Sequence, residues 1–167
     1  MLNHVIHGIE PVFDSHSAIL ILGSFPSVKS REARFFYGHP RNRFWPVLAA
    51  IRKEPVPVSV EEKKAFLLRN RIAVWDVIES CDIEGSSDSS IKNAVPNNLN
   101  LILKAAPVKQ IYTNGGVSGK LYDKYCLPLT GMEAVKLPST SPANAASSLE
   151  KLILSWECVN RHLPLFS

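Results

Sequence analysis

Residues 18 to 27 read Ala18-Ile-Leu-Ile-Leu-Gly-Ser-Phe-Pro-Ser27, and the apolar run gives way abruptly to glycine, serine and proline. Three further apolar runs have the length of buried strands: Ile72 to Val77, Val108 to Thr113, and Met132 to Leu137. Apolar strands that alternate with helix-like stretches are typical of a parallel sheet covered on both faces. We therefore predict an α/β fold, a three-layer α/β/α sandwich with a central four-stranded, mainly parallel sheet.

Four stretches between and after these strands have the apolar spacing of helices. They are Phe44 to Ile51, Glu61 to Arg69, Asn97 to Ala105, and a C-terminal helix that places Leu149, Leu152, Ile153, Trp156 and Val159 on one face. For the C-terminal helix we predict Ser141 as the N-cap and Pro142 as the first helical residue, because serine caps helices well and proline fits their first position.

Composition bounds the size and setting of the protein. The chain has 167 residues, of which 46% are hydrophobic, and this suits a single domain over residues 1–167 with a substantial core. It contains no apolar run of about 18 residues and begins without the features of a signal peptide, so we expect a cytoplasmic protein without a membrane partner. We expect a monomer. The three cysteines are too few and too widely spaced for zinc or an iron–sulfur cluster, so we expect no metal and no cofactor.

The net charge of +4 is concentrated in one segment. Between Gly23 and Trp45 there are five basic residues against one acid, whereas the rest of the chain carries fourteen of each sign. The five are Lys29, Arg31, Arg34, Arg41 and Arg43, and aromatic residues lie between them. Such a segment fits a groove for a polyanion with exposed bases. A solvated loop with a few packed aromatics is an equally good interpretation of composition alone.

Every predicted strand ends in small or polar residues, at 23–27, Asp76, 114–116 and 138–142. Ligands of open α/β sheets bind at these carboxyl ends, so we predict the site there, although turn formation alone would explain the composition. The chain has no phosphate loop, dinucleotide fingerprint, zinc-protease motif or nucleophile elbow. Asp76 is the only carboxylate directly at a strand end, which disfavours two-carboxylate glycoside hydrolysis. Amides and hydroxyls instead suit a reaction in which the enzyme orients a base and stabilises its departure.

Three motifs, in the same order, carry a resemblance to a known family. They are Gly23-Ser-Phe-Pro-Ser27, Phe36-Tyr-Gly-His-Pro-Arg-Asn-Arg-Phe-Trp45 and Leu137-Pro-Ser-Thr-Ser-Pro-Ala-Asn-Ala145. Together they resemble the hypoxanthine-DNA glycosylase branch of the uracil-DNA glycosylase superfamily. The resemblance spans most of the chain. It implies a monofunctional DNA glycosylase that removes a deaminated base, preferentially hypoxanthine, from DNA and leaves an abasic site.

Two positions depart from the usual catalytic pattern of the superfamily. Phe25 stands where the first motif normally has Asp or Asn, and Leu137 stands where the second normally has His or Asn. Both departures match the hypoxanthine branch, and the resemblance implies that Asn42 is the catalytic residue, which would hold the base or orient water. Without the resemblance, an N-cap is the more ordinary role for Asn42.

The resemblance also implies which residues bind the flipped base. Tyr37 and Phe25 would pack against it, while Asn114 and Ser24 would hold its polar edge. Ordinary packing of Tyr37 and an Asn-Gly turn at Asn114 are the structural alternatives.

The DNA-binding residues would be Ser27, Ser139 and Ser141, which the resemblance places at the phosphates, together with Arg41 and Arg43 of the basic segment. Backbone amides at the start of the predicted Pro142 helix would add to the attraction.

Three alternative functions remain open. The same chemistry could act on uracil or other mispaired bases, because hydrogen-bond geometry in a pocket decides its preference. The protein could be a non-catalytic module that binds damaged DNA, since both usual catalytic residues are missing. A small-molecule nucleosidase is a third alternative, against which the basic segment counts.

Overall fold

The computed structural model describes residues 2–165. The strands, numbered in chain order, are Asn3–Ile6 (β1), Ile19–Gly23 (β2), Ile72–Asp76 (β3), Ile78–Ile83 (β4), Lys92–Pro96 (β5), Gln110–Asn114 (β6) and Ala134–Leu137 (β7). The helices are Val28–Ala33 (α1), Phe44–Arg52 (α2), Val60–Arg69 (α3), Asn100–Ala105 (α4), Gly116–Tyr125 (α5), Leu127–Thr130 (α6) and Leu149–Trp156 (α7). Two 3-10 turns lie at Asp88–Ser90 and Glu157–His162.

The central sheet has four parallel strands in the order β3-β2-β6-β7. The residues of β2 from Ile19 to Leu22 are all completely buried. Because successive side chains of a strand point to opposite faces, both faces of the sheet must be covered. Helix α3 packs on β3, α5 packs on β6 and β7, and α2 packs against α7. The predicted three-layer fold is confirmed, and each predicted strand lies within two residues of an observed one.

The C-terminal helix begins later than predicted, so the prediction of Ser141 as its N-cap was wrong. The helix starts at Leu149, and the hydroxyl of Ser148 caps it by accepting a hydrogen bond from the amide of Lys151. The segment 141–147 instead forms turns, whose carbonyls at Ser141, Asn144 and Ser147 accept hydrogen bonds from the guanidinium of Arg43. Those carbonyls therefore accept hydrogen bonds from a side chain, and the segment is not helical.

A second sheet, of antiparallel strands in the order β1-β4-β5, was not predicted. It follows directly from the central sheet, because only Val77 separates β3 from β4. The exposed strands β1 and β5 contain several polar residues and have no continuous apolar run, so no strand pattern marks them in the sequence. Within residues 2–165, no helix is long and apolar enough to cross a membrane.

Candidate active site

The carboxyl ends of the central strands meet at one edge of the sheet. Gly23 at the end of β2 pairs with Asp76 at the end of β3, and Asn114 at the end of β6 pairs with Leu137 of β7. A cavity of about 360 Å³ opens at this edge, a size that suits a small organic ligand such as a nucleobase. The cavity therefore lies at the strand ends, where the sequence predicts a site.

The cavity brings together most of the predicted site residues. Those that line it are Ser24, Phe25, Ser27, Tyr37, Asn42, Asn114, Ser139 and Ser141. Arg41 and Arg43 do not line it. Arg41 is exposed next to Asn42, whereas the guanidinium of Arg43 is engaged by backbone carbonyls of the 141–147 segment. Arg43 is half-buried and holds this segment in place, and its role in DNA binding stays a prediction.

The side-chain amide oxygen of Asn42 accepts two hydrogen bonds. It accepts a hydrogen bond of 2.9 Å from the amide of Phe44, the first residue of α2, and one of 2.8 Å from the hydroxyl of Thr140. Asn42 therefore stabilises the start of α2 from the position before the N-cap, which is Arg43, so Asn42 is not itself the N-cap. Its amide nitrogen, however, has no hydrogen-bond partner among residues 2–165. What Asn42 offers to a ligand in the cavity is a hydrogen-bond donor.

Asn114 forms two hydrogen bonds with the same threonine. Its Nδ2 donates to the hydroxyl of Thr140 at 2.9 Å, and its Oδ1 accepts from the Thr140 amide at 3.0 Å. Thr140 is completely buried and also binds the amide of Arg43 through its carbonyl. Thr140 thus joins the two asparagines, and it was not among the predicted site residues. The Asn114 oxygen is already engaged, so Asn114 too presents mainly N–H to the cavity.

Tyr37 has one ring face covered and a left-handed backbone. Its ring stacks on that of Phe44 with a centroid distance of 3.8 Å and an angle of 17°. Its φ of 53° is unusual for a bulky residue, and such outliers cluster at functional sites. A Cβ at Gly23 would lie 3.2 Å from the Tyr37 hydroxyl and 2.6 Å from Oδ1 of Asp76. Glycine at position 23 is therefore what allows these two side chains to approach the end of β2.

Phe25 is buried in the cavity wall, and two polar side chains contact its ring. The guanidinium of Arg31 lies 5.5 Å from the centre of its ring, and the His7 ring meets it edge-on at 5.2 Å. Arg31 also donates to the carbonyl of Gly85 at 2.6 Å. Arg31, a residue of the basic segment, thus contacts both the ring of Phe25 and the loop that follows β4.

Two carboxyl groups line the cavity, although the sequence placed only one at a strand end. Asp88 reaches the site from the 3-10 turn between β4 and β5, and its Oδ1 accepts a hydrogen bond of 2.8 Å from Ser24. Burial raises the pKa of Asp88. Nothing in the polar loop 84–90 marked this residue, because its position depends on the unpredicted second sheet. The hydroxyl of Ser24, which is predicted to contact the base, thus donates to Asp88.

Asp76 is buried at the floor of the same cavity. It is 3% exposed, and its Oδ2 has no hydrogen-bond partner among the described residues. Burial, with a contribution from the charge of Asp88, raises the pKa of Asp76 to about 8. Its backbone carbonyl accepts a hydrogen bond from Asn97, which fixes the strand end.

The family model of the uracil DNA glycosylase superfamily matches residues 10–160, and the protein belongs to this superfamily. Two relatives carry the name hypoxanthine DNA glycosylase. The protein of Methanosarcina barkeri is 37% identical over 84% of this chain and 89% of its own, and that of Methanosarcina acetivorans is 36% identical over 93% and 98%.

A solved structure has the same fold. The solution NMR structure of a candidate uracil DNA glycosylase from Methanosarcina acetivorans is 35% identical and superposes with a TM-score of 0.80. The superposition covers 97% of this chain and 98% of that one. The likeness therefore extends over the whole fold, including the strand ends that carry the cavity.

Proposed function

We propose that the protein is a monofunctional DNA glycosylase that hydrolyses the N-glycosidic bond of hypoxanthine in DNA and leaves an abasic site. The relatives at 36–37% identity bear the name of this activity and match over most of their length. The observation that carries the proposal is the Asn42 amide, held at the cavity by Thr140 and Phe44 with its nitrogen free to donate.

Asn42 acts on the departing base. As the bond between the sugar C1′ and the base breaks, negative charge develops on the ring atoms of the base. A fixed N–H donor stabilises that charge without having to reorganise. Because the Asn42 oxygen is occupied by two donors, it is poorly placed to activate water as well. The role of Asn42 is thus to stabilise the leaving group.

Aromatic residues and hydroxyl groups prepare the substrate. A base in a duplex must be turned out of the stack before it can enter a pocket. Tyr37 and Phe25 line the cavity and pack against the base, and stacking of this kind is worth about 1 to 3 kcal/mol. Ser27, Ser139 and Ser141 at the same edge contact the phosphates beside it, and the exposed Arg41 adds charge attraction.

A strand-cleaving lyase step is not part of this proposal. Such a step needs an amine nucleophile, and no lysine is among the residues that line the cavity. Lys29 lies two residues after the first motif and pairs with Glu32 at 3.6 Å on the exposed face of α1. Lys136 directly precedes the third motif and pairs with Asp123 at 2.7 Å. The expected product is an abasic site that breaks only after heat or alkali.

Single-turnover excision from labelled duplexes tests the proposal. Hypoxanthine, uracil and xanthine are compared at equal enzyme concentration, with alkaline cleavage before analysis and an untreated sample as the lyase control. Hypoxanthine released fastest supports the proposed substrate. Fastest release of uracil would make uracil the preferred substrate instead. Tight binding of damaged DNA without release of any base would make the protein a binding module.

A further inference from the structure

The carboxyl group of Asp76 lines the cavity, and the mechanism above does not use it. Asn42 and Asn114 have their oxygens engaged through Thr140, and Ser24 and Asp88 are bound to each other. The Oδ2 atom of Asp76, in contrast, is buried and has no hydrogen-bond partner among the described residues. A buried polar atom without a partner is costly, so such an atom in a ligand cavity points to a contact made when the ligand is bound.

Within residues 2–165, no lysine or arginine forms a salt bridge with Asp76. Nε2 of His7 lies 4.0 Å from Oδ2 of Asp76, and this nitrogen donates to the carbonyl of Ile78 at 2.8 Å. The other ring nitrogen accepts a hydrogen bond from the amide of Ile9, so His7 is neutral. Burial also lowers the pKa of His7. His7 is therefore a neighbour of Asp76 without being its counter-charge.

The remaining titratable groups around Asp76 disfavour its ionised form as well. The carboxyl of Asp88 faces it from the 3-10 turn, and a second negative charge there would repel the first. The hydroxyl of Tyr37 is buried, has no hydrogen-bond partner in the part of the chain that the structure describes, and carries no charge at neutral pH. A carboxylate that is buried beside another carboxyl and without a cation takes up a proton.

We propose that Asp76 contacts the flipped base as a neutral carboxyl group. Its O–H donates to the ring carbonyl of the base, and its C=O accepts the neighbouring ring N–H. This N–H and C=O edge is present in hypoxanthine, where it is formed by N1–H and O6. The assignment rests on the proposed function and deepens it, because it names the group that recognises the deaminated edge.

The amides of Asn42 and Asn114 do not provide both halves of this pairing. Asn42 and Asn114 offer N–H groups, which suit the carbonyl and ring nitrogens of the base but leave its N–H without an acceptor. The neutral carboxyl provides the acceptor together with a donor. An ionised carboxylate would instead set two acceptors against the base, one of them facing the carbonyl oxygen. The pKa of about 8 keeps the useful form dominant at neutral pH.

Three enzymes test the proposal: wild type, Asp76→Asn and Asp76→Ala, each assayed for single-turnover hypoxanthine excision from about pH 6 to 9.5. Asparagine keeps one donor and one acceptor but cannot ionise. We expect Asp76→Asn to be a few-fold slower than wild type near pH 6 and several-fold faster near pH 9. The decisive quantity is the ratio of the Asp76→Asn rate to the wild-type rate at each pH, because ionisation of the substrate affects these two enzymes equally. Asp76→Ala should lose at least about 50-fold throughout, since it keeps neither hydrogen bond.

A second readout does not depend on activity. The carboxyl carbon of Asp76, assigned in ¹³C NMR spectra by its absence in Asp76→Asn, should titrate far above the ordinary range in the free protein. A ratio that stays flat with pH, or a carboxyl already ionised at pH 6, overturns the proposal even if wild type excises hypoxanthine. Release of uracil rather than hypoxanthine by wild type would refute the proposed substrate alone, because uracil has the same N–H and C=O edge.

Discussion

The hydroxyl of Thr140 donates a hydrogen bond of 2.8 Å to Oδ1 of Asn42, across 98 residues of sequence. The same threonine holds Asn114 through two further hydrogen bonds. An asparagine amide can rotate so that oxygen and nitrogen exchange places, and the hydroxyl removes this freedom. Thr140 is therefore a positioning residue, which keeps the N–H of Asn42 available to the cavity.

Thr140→Val tests this role, because valine has nearly the same shape and lacks the hydroxyl. We expect the rate of excision in a single turnover to fall about tenfold, which corresponds to ~1.4 kcal/mol, with little change in affinity for the damaged duplex. Thr140→Ser keeps the hydroxyl and should recover most of the rate. A valine variant as fast as wild type, or a serine variant as slow as valine, would remove Thr140 from the mechanism.

Asn42 itself is tested by two substitutions with different consequences. Asn42→Ala removes the N–H and should slow excision about 100-fold, a loss of ~2.7 kcal/mol of transition-state stabilisation. Asn42→Asp keeps an oxygen for the Phe44 amide but loses the donor, so we expect it to be as slow as alanine. An aspartate variant with near-normal or higher activity would instead indicate that position 42 activates water.

The control for Asn42 must allow for its structural role. Loss of the hydrogen bond to Phe44 costs about 1 kcal/mol of stability, so folding is checked by circular dichroism and thermal unfolding. Asn98→Ala is the matched control, because this exposed asparagine lies outside the cavity. It should excise at the wild-type rate.

The raised pKa of Asp76 also predicts how stability depends on pH. A group whose folded-state pKa lies above its unfolded value contributes stability that is fully present below the unfolded pKa, 3.8 for aspartate, and is lost as pH rises through the folded pKa of about 8. Asp76→Asn cannot ionise and lacks this loss. We therefore expect the melting temperature of the variant, relative to wild type, to increase from pH 5 to pH 9. A constant difference would mean that the pKa of Asp76 is not raised.

Arg41 is the basic residue expected to contact DNA rather than the protein. Arg41→Ala should weaken binding to damaged and undamaged duplexes alike and lower the slope of log Kd against log salt concentration by about 1. Lys109→Ala is the matched control, since Lys109 is exposed just before β6, at the opposite edge of the sheet. An unchanged slope in Arg41→Ala would place the DNA elsewhere.

The sequence by itself determined the fold class and the edge of the sheet where the site lies. Buried strands are continuous apolar runs, such as the one that ends at Gly23, and their boundaries can be read because glycine, proline and serine interrupt the apolar pattern. The motifs then implied Asn42, Tyr37 and Asn114, and all three line one cavity. These features depend on local pattern and on residue type, which are both present in the linear chain.

Only the tertiary structure decided which polar groups are free and which are engaged. Thr140, Asp88 and His7 come from separate loops, and no local pattern records that they lie beside Asn42, Ser24 and Asp76 respectively. The availability of a donor, and the protonation of a buried carboxyl, depend on neighbours distant in sequence and on exclusion of water. For this reason the sequence indicated a carboxylate at the end of β3, whereas the fold made it a candidate base-contacting acid.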